Sequence, residues 1–203
     1  MNRANVNLSD KELLMVTDTD WILTKHHIIA KVYNLFGDLS TAYQALNLPE
    51  IPAEVTAISP KIYKGEQYLQ LPYVMMDFPR FFKGPDTFAV RHLFWWGNYF
   101  SITLQLAGLY KLRYQQMVAK HYHLFASAEW SLCINDDVWS HVFEAGNYRA
   151  VKDFKEEEWV GALKGHPFIK LAKKIPLNEW DKSYEFFMSE FCFLMKTACN
   201  EVV

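Results

Sequence analysis

Glycine, proline and cysteine are scarce in this chain, and its charges nearly cancel. With 8 Gly and 8 Pro among 203 residues, a collagen-like or low-complexity class is excluded. The net charge of −2 lacks the long-range field that draws proteins onto phosphate backbones, so we expect no nucleic-acid partner. The three cysteines, Cys133, Cys192 and Cys199, form no paired spacing, which favours free thiols in a reducing compartment.

No segment of the sequence is expected to enter a membrane or a secretory route. The N-terminal residues MNRANVNLSDKELL lack the apolar run of a signal peptide. The apolar stretch Phe88–Leu109 is interrupted by Gly97-Asn98, and its second half alternates apolar with polar residues, which is typical of a strand. We therefore expect a cytoplasmic protein without a membrane partner, and no cofactor or metal is predicted.

Aromatic and apolar residues, in contrast, are abundant. Hydrophobic residues make up 51% of the chain, which contains 15 Phe, 11 Tyr and 7 Trp. This composition excludes intrinsic disorder. A folded chain of this size buries about 70% of the surface that its unfolded form exposes, which is enough for one core without disulfides. We expect a single domain over residues 1–203.

Local signals predict an α+β fold, in which an antiparallel β-meander of three to five strands packs against N-terminal and C-terminal helices. Ser9 and Glu12 have the spacing of a capping box and open a helical N-terminal segment over residues 8–47. Six of the eight prolines fall between Pro49 and Pro85 and mark loops, turns and edge strands, and a strand-rich centre is predicted over residues 57–107. The remainder, residues 109–200, is predicted to be mainly helical.

The most informative local feature is the hairpin predicted around Gly97-Asn98. A two-residue turn there pairs Trp96 with Tyr99, and residues directly opposite each other point to the same face. One face then collects Phe94 and these candidate ligand-binding residues: His92, Trp96, Tyr99, Ser101, Thr103 and Gln105. This mixture of aromatic and polar side chains predicts the wall of a ligand pocket. The alternative is an ordinary solvent-facing or second-layer sheet surface, and a one-residue bulge would change the assignment.

Arg91 falls on the opposite, apolar face of this predicted hairpin. A buried guanidinium needs a carboxylate or several carbonyl acceptors, and Asp77 near the end of the preceding strand is the expected partner. Arg80 could take the same carboxylate instead. Two interpretations stay open: a structural ion pair, or a site where Arg80 and Arg91 bind the carboxylate or phosphate of an anionic ligand.

Two further patterns bear on metals and partners. Asp137, His141 and Glu144 would share one face of a predicted helix and could hold a divalent metal, but the opposite face is apolar, so they are expected to face solvent. Phe186 and Phe193 fall on the polar side of the last helix. Either another part of the chain covers them, or they contact a second subunit, which gives a candidate homodimer interface.

Three classes of function follow from these patterns. The first is a non-catalytic small-molecule or protein-binding domain that uses the aromatic and polar face of the hairpin. The alternative is an enzyme that acts on a small anionic substrate, with His92 as candidate general acid/base and an arginine as anchor. That alternative requires His92 and the arginine to open onto one cleft. The third is a structural scaffold without a cleft.

Overall fold

A computed structural model describes residues 6–199 of the chain. Its strands form one antiparallel sheet in the order β1-β2-β3-β4-β7-β5-β6. The strands are β1 (Lys61–Tyr68), β2 (Leu71–Lys83), β3 (Asp86–Trp95), β4 (Tyr99–Ala107), β5 (Ser131–Cys133), β6 (Tyr148–Ala150) and β7 (Phe168–Pro176). The α+β class is therefore confirmed, while the predicted three to five strands are too few for the seven present in the described residues.

The helices lie before, between and after the strands. They are α1 (Asp10–Thr17), α2 (Thr19–Gln44), α3 (Ala53–Thr56), α4 (Gly108–Lys120), α5 (Tyr122–Ser127), α6 (Glu156–Gly165) and α7 (Ser183–Leu194). Short 3₁₀ turns cover Val151–Asp153 and Leu177–Lys182, and a π-helical turn, Met195–Cys199, extends α7.

Helix starts follow the predicted capping chemistry. The Ser9 backbone N–H donates to Glu12 Oε2 at 2.8 Å, and the Glu12 N–H donates to Ser9 Oγ at 3.3 Å, which completes the capping box of α1. Asp18 caps α2 by accepting from the Trp21 N–H at 3.1 Å. Helix α2 continues through Gly37 to Gln44, because its buried stripe runs on past Phe36 to Tyr43.

The two faces of the sheet are covered differently. Helices α2, α4 and α7 pack on one face, where alternate residues of the central strands join the main core. The opposite face is covered by residues 134–147, an irregular segment that we call the covering loop. The helix-covered face is apolar, whereas the loop-covered face holds most of the buried charged and polar side chains of the sheet.

The register of the central hairpin differs from the predicted one. Trp95 pairs with Tyr99, so the turn has three residues, 96–98, instead of two, with Gly97 at φ +71°. This shift of one residue reverses the face of β4 relative to β3. Arg91 therefore shares a face with Thr103, its direct partner, while His92 pairs with Ile102 on the helix-covered face.

Candidate functional site

Two tyrosine side chains fasten the covering loop to the sheet. Tyr99 Oη donates to the His141 carbonyl at 2.9 Å, and the His141 N–H donates to Tyr68 Oη at 2.7 Å. Within the loop, Asn147 Nδ2 donates to the Val142 carbonyl at 2.7 Å. These bonds hold the loop over the middle of the polar face, which leaves only the end of that face open.

Arg91 and Asp77 form a buried ion pair beneath this loop. Arg91 Nε lies 2.7 Å from Asp77 Oδ1, and Nη2 lies 3.0 Å from Oδ2, so the expected partnership with Asp77 is confirmed. The guanidinium also lies 5.4 Å from the Trp139 ring and 3.5 Å from His141 Nε2. Burial lowers the pKa of Arg91, but the hydrogen bonds and charge of Asp77 outweigh it and raise that pKa. The pair fits the structural interpretation.

Arg80 does not join this ion pair. Its Nε donates to the Ser59 carbonyl at 3.0 Å, beyond the irregularity in register that separates Asp77 from Arg80 on β2. The anion site formed by Arg80 and Arg91 is therefore not assembled: one guanidinium is bound by Asp77 and the other is turned toward a backbone carbonyl.

Lys170 is a second buried cation on the loop-covered face. Its ammonium is completely buried and donates to the carbonyls of Val138 (2.8 Å) and Ser140 in the covering loop. Among residues 6–199 it has no carboxylate partner within ion-pair distance. Burial lowers the pKa of Lys170 to about 8. Burial, and then the charges of Lys170 and Arg91, hold the pKa of His141 well below its ordinary value.

A groove of about 690 Å³ opens beside the first residues of the covering loop and the β2–β3 hairpin. Its lining includes Phe82, Thr87, Gln105, Asp136, Trp139 and Phe168. The Gln105 side chain is 4% exposed and that of Thr87 is 9% exposed, and neither makes a hydrogen bond to another described residue. The groove thus combines aromatic walls with an amide and a hydroxyl that form no hydrogen bond within the described part of the chain and that are not among its fully buried polar atoms.

Small residues in the sheet leave the space that the groove occupies. Gln105 pairs with Ala89 on one side, and Thr87 pairs with Ala107, so two alanines lie in this part of the sheet. At the rim, Gly108 has φ +57°, and an added Cβ would lie 2.1 Å from Asp86 Oδ1. That carboxylate accepts from the Leu109 N–H at 2.8 Å, so the glycine permits the close turn from β4 into α4.

His92 lines neither the groove nor the cavity of about 390 Å³ that its neighbour Tyr43 lines. It is fully buried, and its ring lies 5.1 Å from that of Phe187 and 5.3 Å from that of Tyr43. Tyr43 Oη donates its proton to the Phe187 carbonyl. His92 Nε2 lies 3.0 Å from the same hydroxyl oxygen, so it is the imidazole N–H that donates to Tyr43 Oη. Burial lowers the pKa of His92 to about 3. In the described part of the chain, His92 and Arg91 therefore do not open onto one cleft, as the general acid/base hypothesis requires.

The other predicted pocket residues are divided between the two faces. Trp96 packs with Phe94 on the helix-covered side, their ring centroids 6.1 Å apart. Ser101 and Thr103 are buried on the loop-covered face, as is Tyr99. Of the candidate ligand-binding residues, Gln105 is the one that lines the groove.

A helix through Asp137, His141 and Glu144, as predicted from the sequence, would have Trp139 on its apolar face, and the sequence therefore does not predict the aromatic wall that Trp139 forms. No helix forms over the covering loop. Asp137 N–H donates to Asn135 Oδ1 at 2.8 Å, and Trp139 N–H donates to Asp137 Oδ1 at 2.9 Å. The Asn-Asp-Asp run was the available signal, because such side chains favour turns by bonding the backbone two residues on.

The metal and dimer patterns also change in the structure. Without a helix, Asp137, His141 and Glu144 do not share a helix face, and within residues 6–199 no group of three His, Cys, Asp or Glu side chains could hold a metal. Phe193 stacks on Trp130 with centroids 5.9 Å apart. Both Phe193 and Phe186 are only partly buried, so a dimer through these two residues stays a prediction.

Comparison with known proteins gives no relative for this chain: no family model, curated protein or solved structure matches it. In the described part of the chain, no helix has both the length and the apolar character needed to cross a membrane.

Proposed function

We propose that this protein is a non-catalytic binding domain and that the groove beside Gln105 is its small-molecule site. The observation that supports this proposal is the Gln105 side chain, which lines the groove, belongs to a residue that is only 4% exposed and forms no hydrogen bond to another described residue. Its amide is not among the fully buried polar atoms without a partner, so water in the groove can reach it. A ligand that bonds to this amide would replace that water, and each such hydrogen bond contributes about 0.5–1.5 kcal/mol.

The lining favours a neutral, flat ligand. Trp139 and Phe82 are 56% and 42% exposed, so their rings are accessible for stacking. No lysine or arginine is found among the described residues that line the groove, and Asp136 adds a carboxylate, which disfavours an anion. The Gln105 amide presents a donor beside an acceptor. A primary amide or a nucleobase-like heterocycle carries the complementary pair.

The enzyme alternative lacks the arrangement that it needs. It requires His92 and an arginine in one cleft, but His92 lies in the core under the helices and Arg91 is bound to Asp77 on the other face. We therefore do not adopt it. We further propose a cytoplasmic location, since Cys133, Cys192 and Cys199 are all free and a reducing compartment preserves free thiols.

The test compares a neutral probe with an anion of the same shape. Binding of benzamide, adenine and benzoate to the full chain is measured by saturation-transfer NMR and by quenching of tryptophan fluorescence. We expect benzamide or adenine to bind and benzoate to bind more weakly. Gln105→Leu should weaken binding of the neutral probe roughly tenfold or more, because two buried hydrogen bonds are lost.

Gln116→Leu is the matched control, because Gln116 lies on the exposed side of α4 and outside the groove. This variant should bind the neutral probe as the wild type does. Failure of both neutral probes to bind, or equal binding by wild type and Gln105→Leu, would contradict the proposed site.

A further inference from the structure

One cross-strand pair of the sheet contributes to both the groove and the attachment of the covering loop. Gln105 on β4 is directly opposite Lys170 on β7, and directly opposed residues point to the same face. The Gln105 side chain lines the groove, whereas Lys170 is completely buried and does not line it. The two side chains therefore extend side by side from the sheet toward the covering loop.

The Lys170 ammonium holds the covering loop on both sides of Trp139. It donates to the Val138 carbonyl at 2.8 Å and to the Ser140 carbonyl. These two carbonyls flank Trp139, which lines the groove, and Val138 lines it as well. The ammonium is therefore a direct link between this wall of the groove and the strand next to Gln105.

The hydrogen bonds of Trp139 inside the loop set its local conformation without attaching it to the sheet. Trp139 N–H donates to Asp137 Oδ1 at 2.9 Å, and Ser140 N–H donates to the Asp137 carbonyl at 3.2 Å. These bonds form a turn, and all of their partners belong to the covering loop. The Trp139 ring contacts the sheet at the Arg91 guanidinium, 5.4 Å from its centroid, which is a weak contact for a side chain that is 56% exposed.

The charge of Lys170 makes its hold on the loop firm. Moving a charge out of water is costly unless hydrogen bonds compensate for it, and no carboxylate among residues 6–199 lies within ion-pair distance of this ammonium. The two carbonyls must therefore stay within hydrogen-bond distance of it. Hydrogen bonds from a charged donor are roughly twice as strong as those from a neutral one. A neutral amine would hold the loop less firmly.

We infer that Lys170 is a positioning residue of the groove: by holding the carbonyls on both sides of Trp139, its ammonium keeps the aromatic wall beside Gln105 and thereby sets the affinity for a neutral ligand. This inference rests on the proposed function. Lys170 acts through the backbone of the covering loop and not by contact with the ligand. Loss of its proton weakens binding, so the affinity depends on pH although the ligand is neutral.

The charged groups that face Lys170 come from β3 and from the covering loop. Burial lowers the pKa of Lys170 to about 8, and the charge of Arg91 on β3 acts in the same direction. The Asp137 carboxylate in the covering loop acts in the opposite direction. Lys170 is therefore mainly charged at pH 7 and mainly neutral at pH 9.

Three groups that are neutral at pH 7 also face Lys170: Cys133 on β5, Tyr148 on β6 and His141 in the covering loop. Burial raises the pKa of the Cys133 thiol and that of Tyr148, and it lowers the pKa of His141. These three groups stay largely neutral up to pH 9. Among the described groups around Lys170, a change of binding between pH 7 and 9 therefore reports on Lys170 itself.

Hydrogen exchange and benzamide titration of the full chain test the inference. Lys170→Met keeps most of the side-chain length and removes the ammonium. At pH 7 the amides of residues 139–141 should exchange faster in this variant without ligand, and benzamide should bind roughly tenfold more weakly than to the wild type. Benzamide does not titrate between pH 7 and 9. Its affinity for the wild type should fall about threefold or more over this range, whereas its affinity for Lys170→Met should not change.

Lys174→Met is the matched control. Lys174 lies on the same strand and the same face as Lys170 but is exposed, and its ammonium lies 5.0 Å from the Phe143 ring of the covering loop, outside the lining of the groove. This variant removes one ammonium from the same face of β7 without touching the carbonyls that flank Trp139. It should exchange, bind benzamide and respond to pH as the wild type does.

The two measurements separate this inference from the proposed function. If benzamide bound to none of the three proteins, the groove would be contradicted as its binding site, and the exchange of residues 139–141 would still decide whether Lys170 holds the wall. Unchanged exchange in Lys170→Met overturns the inference, and so does equal benzamide affinity in this variant and the wild type. Circular dichroism checks the fold of Lys170→Met. If the variant does not fold, the wild-type titration decides, and an affinity that is the same at pH 7 and pH 9 overturns the inference.

Discussion

Arg91 and Asp77 are direct partners across strands β3 and β2, and two hydrogen bonds of 2.7 and 3.0 Å join their side chains. Both residues are about 95% buried. This pairing neutralises the guanidinium that could otherwise have bound an anionic ligand. The guanidinium also lies 5.4 Å from the centroid of the Trp139 ring, which lines the groove. The ion pair thus has a structural role next to the proposed site.

Breaking this pair from one side is expected to be costly. Asp77→Ala should lower the free energy of unfolding by about 3–5 kcal/mol, because it leaves Arg91 buried and unpaired. The double variant Asp77→Leu/Arg91→Leu should lose less, since it removes both charges. Urea unfolding measures both values, with Asp181→Ala at an exposed position as control. A larger loss in the double variant than in the single one would contradict a role limited to charge pairing.

Buried histidine should make the protein sensitive to acid. The pKa of His92 is lowered to about 3 in the folded state, so between pH 6.5 and 3 the unfolded chain binds the proton more readily. Stability is therefore lost as the pH falls through this window, by about 3 kcal/mol at pH 4 for His92 alone. His92→Gln, which does not titrate, should lose correspondingly less stability between pH 7 and pH 4.

Urea unfolding at both pH values checks this, with the wild type and the variant compared pairwise because carboxylates titrate in the same range. Parallel acid dependence in the two proteins would mean that His92 is not buried in its neutral form.

Lys170 should make the stability of the protein depend on pH in the alkaline range. Its pKa is lowered to about 8 by burial, so the folded state loses this proton before the unfolded state does. Between about pH 8 and 10.5 the unfolded chain holds more protons, and the wild type should gain stability relative to Lys170→Met by about 1.4 kcal/mol per pH unit. Comparing the two proteins by urea unfolding at pH 7.5 and 9.5 tests this.

The comparison with a variant is necessary because tyrosines and thiols of raised pKa act in the other direction at high pH. Tyr63, with its pKa raised to about 12, stays protonated in the folded state after the unfolded chain has lost its proton, so it lowers stability above about pH 10. This contribution is common to wild type and Lys170→Met. A stability difference that does not change with pH would show that Lys170 is not buried as a cation.

The features that the sequence predicted are those governed by local or direct cross-strand chemistry. The capping box of Ser9 and Glu12 needs only neighbouring residues, and Asp77 is the carboxylate that a buried Arg91 on the next strand would contact. The α+β class follows from periodicity over long segments. Strands of three residues, such as β5 and β6, are too short to show a period.

The candidate site was harder to predict because it depends on one residue of register and on distant segments. If Trp96 were the last residue of β3, His92 would share a face with Thr103. Because Trp96 belongs to the turn, His92 instead shares a face with Ile102. The Gly97-Asn98 pair is compatible with both turns. The groove then joins Thr87, Gln105, Trp139 and Phe168 from separate parts of the chain. No local pattern brings these residues together.

Two tryptophans allow binding at the groove to be separated from stability. Trp139 is 56% exposed in the groove, whereas Trp130 is fully buried and donates to Glu190 at 3.2 Å. Trp139→Ala should weaken binding of the neutral probe and cost only about 0.5–1 kcal/mol of stability from its contact with Arg91. Trp130→Ala should cost about 3–5 kcal/mol through the cavity that it leaves. Thermal unfolding and benzamide titration of both variants measure the two effects. If Trp139→Ala bound benzamide as strongly as the wild type, Trp139 would have no part in the proposed site.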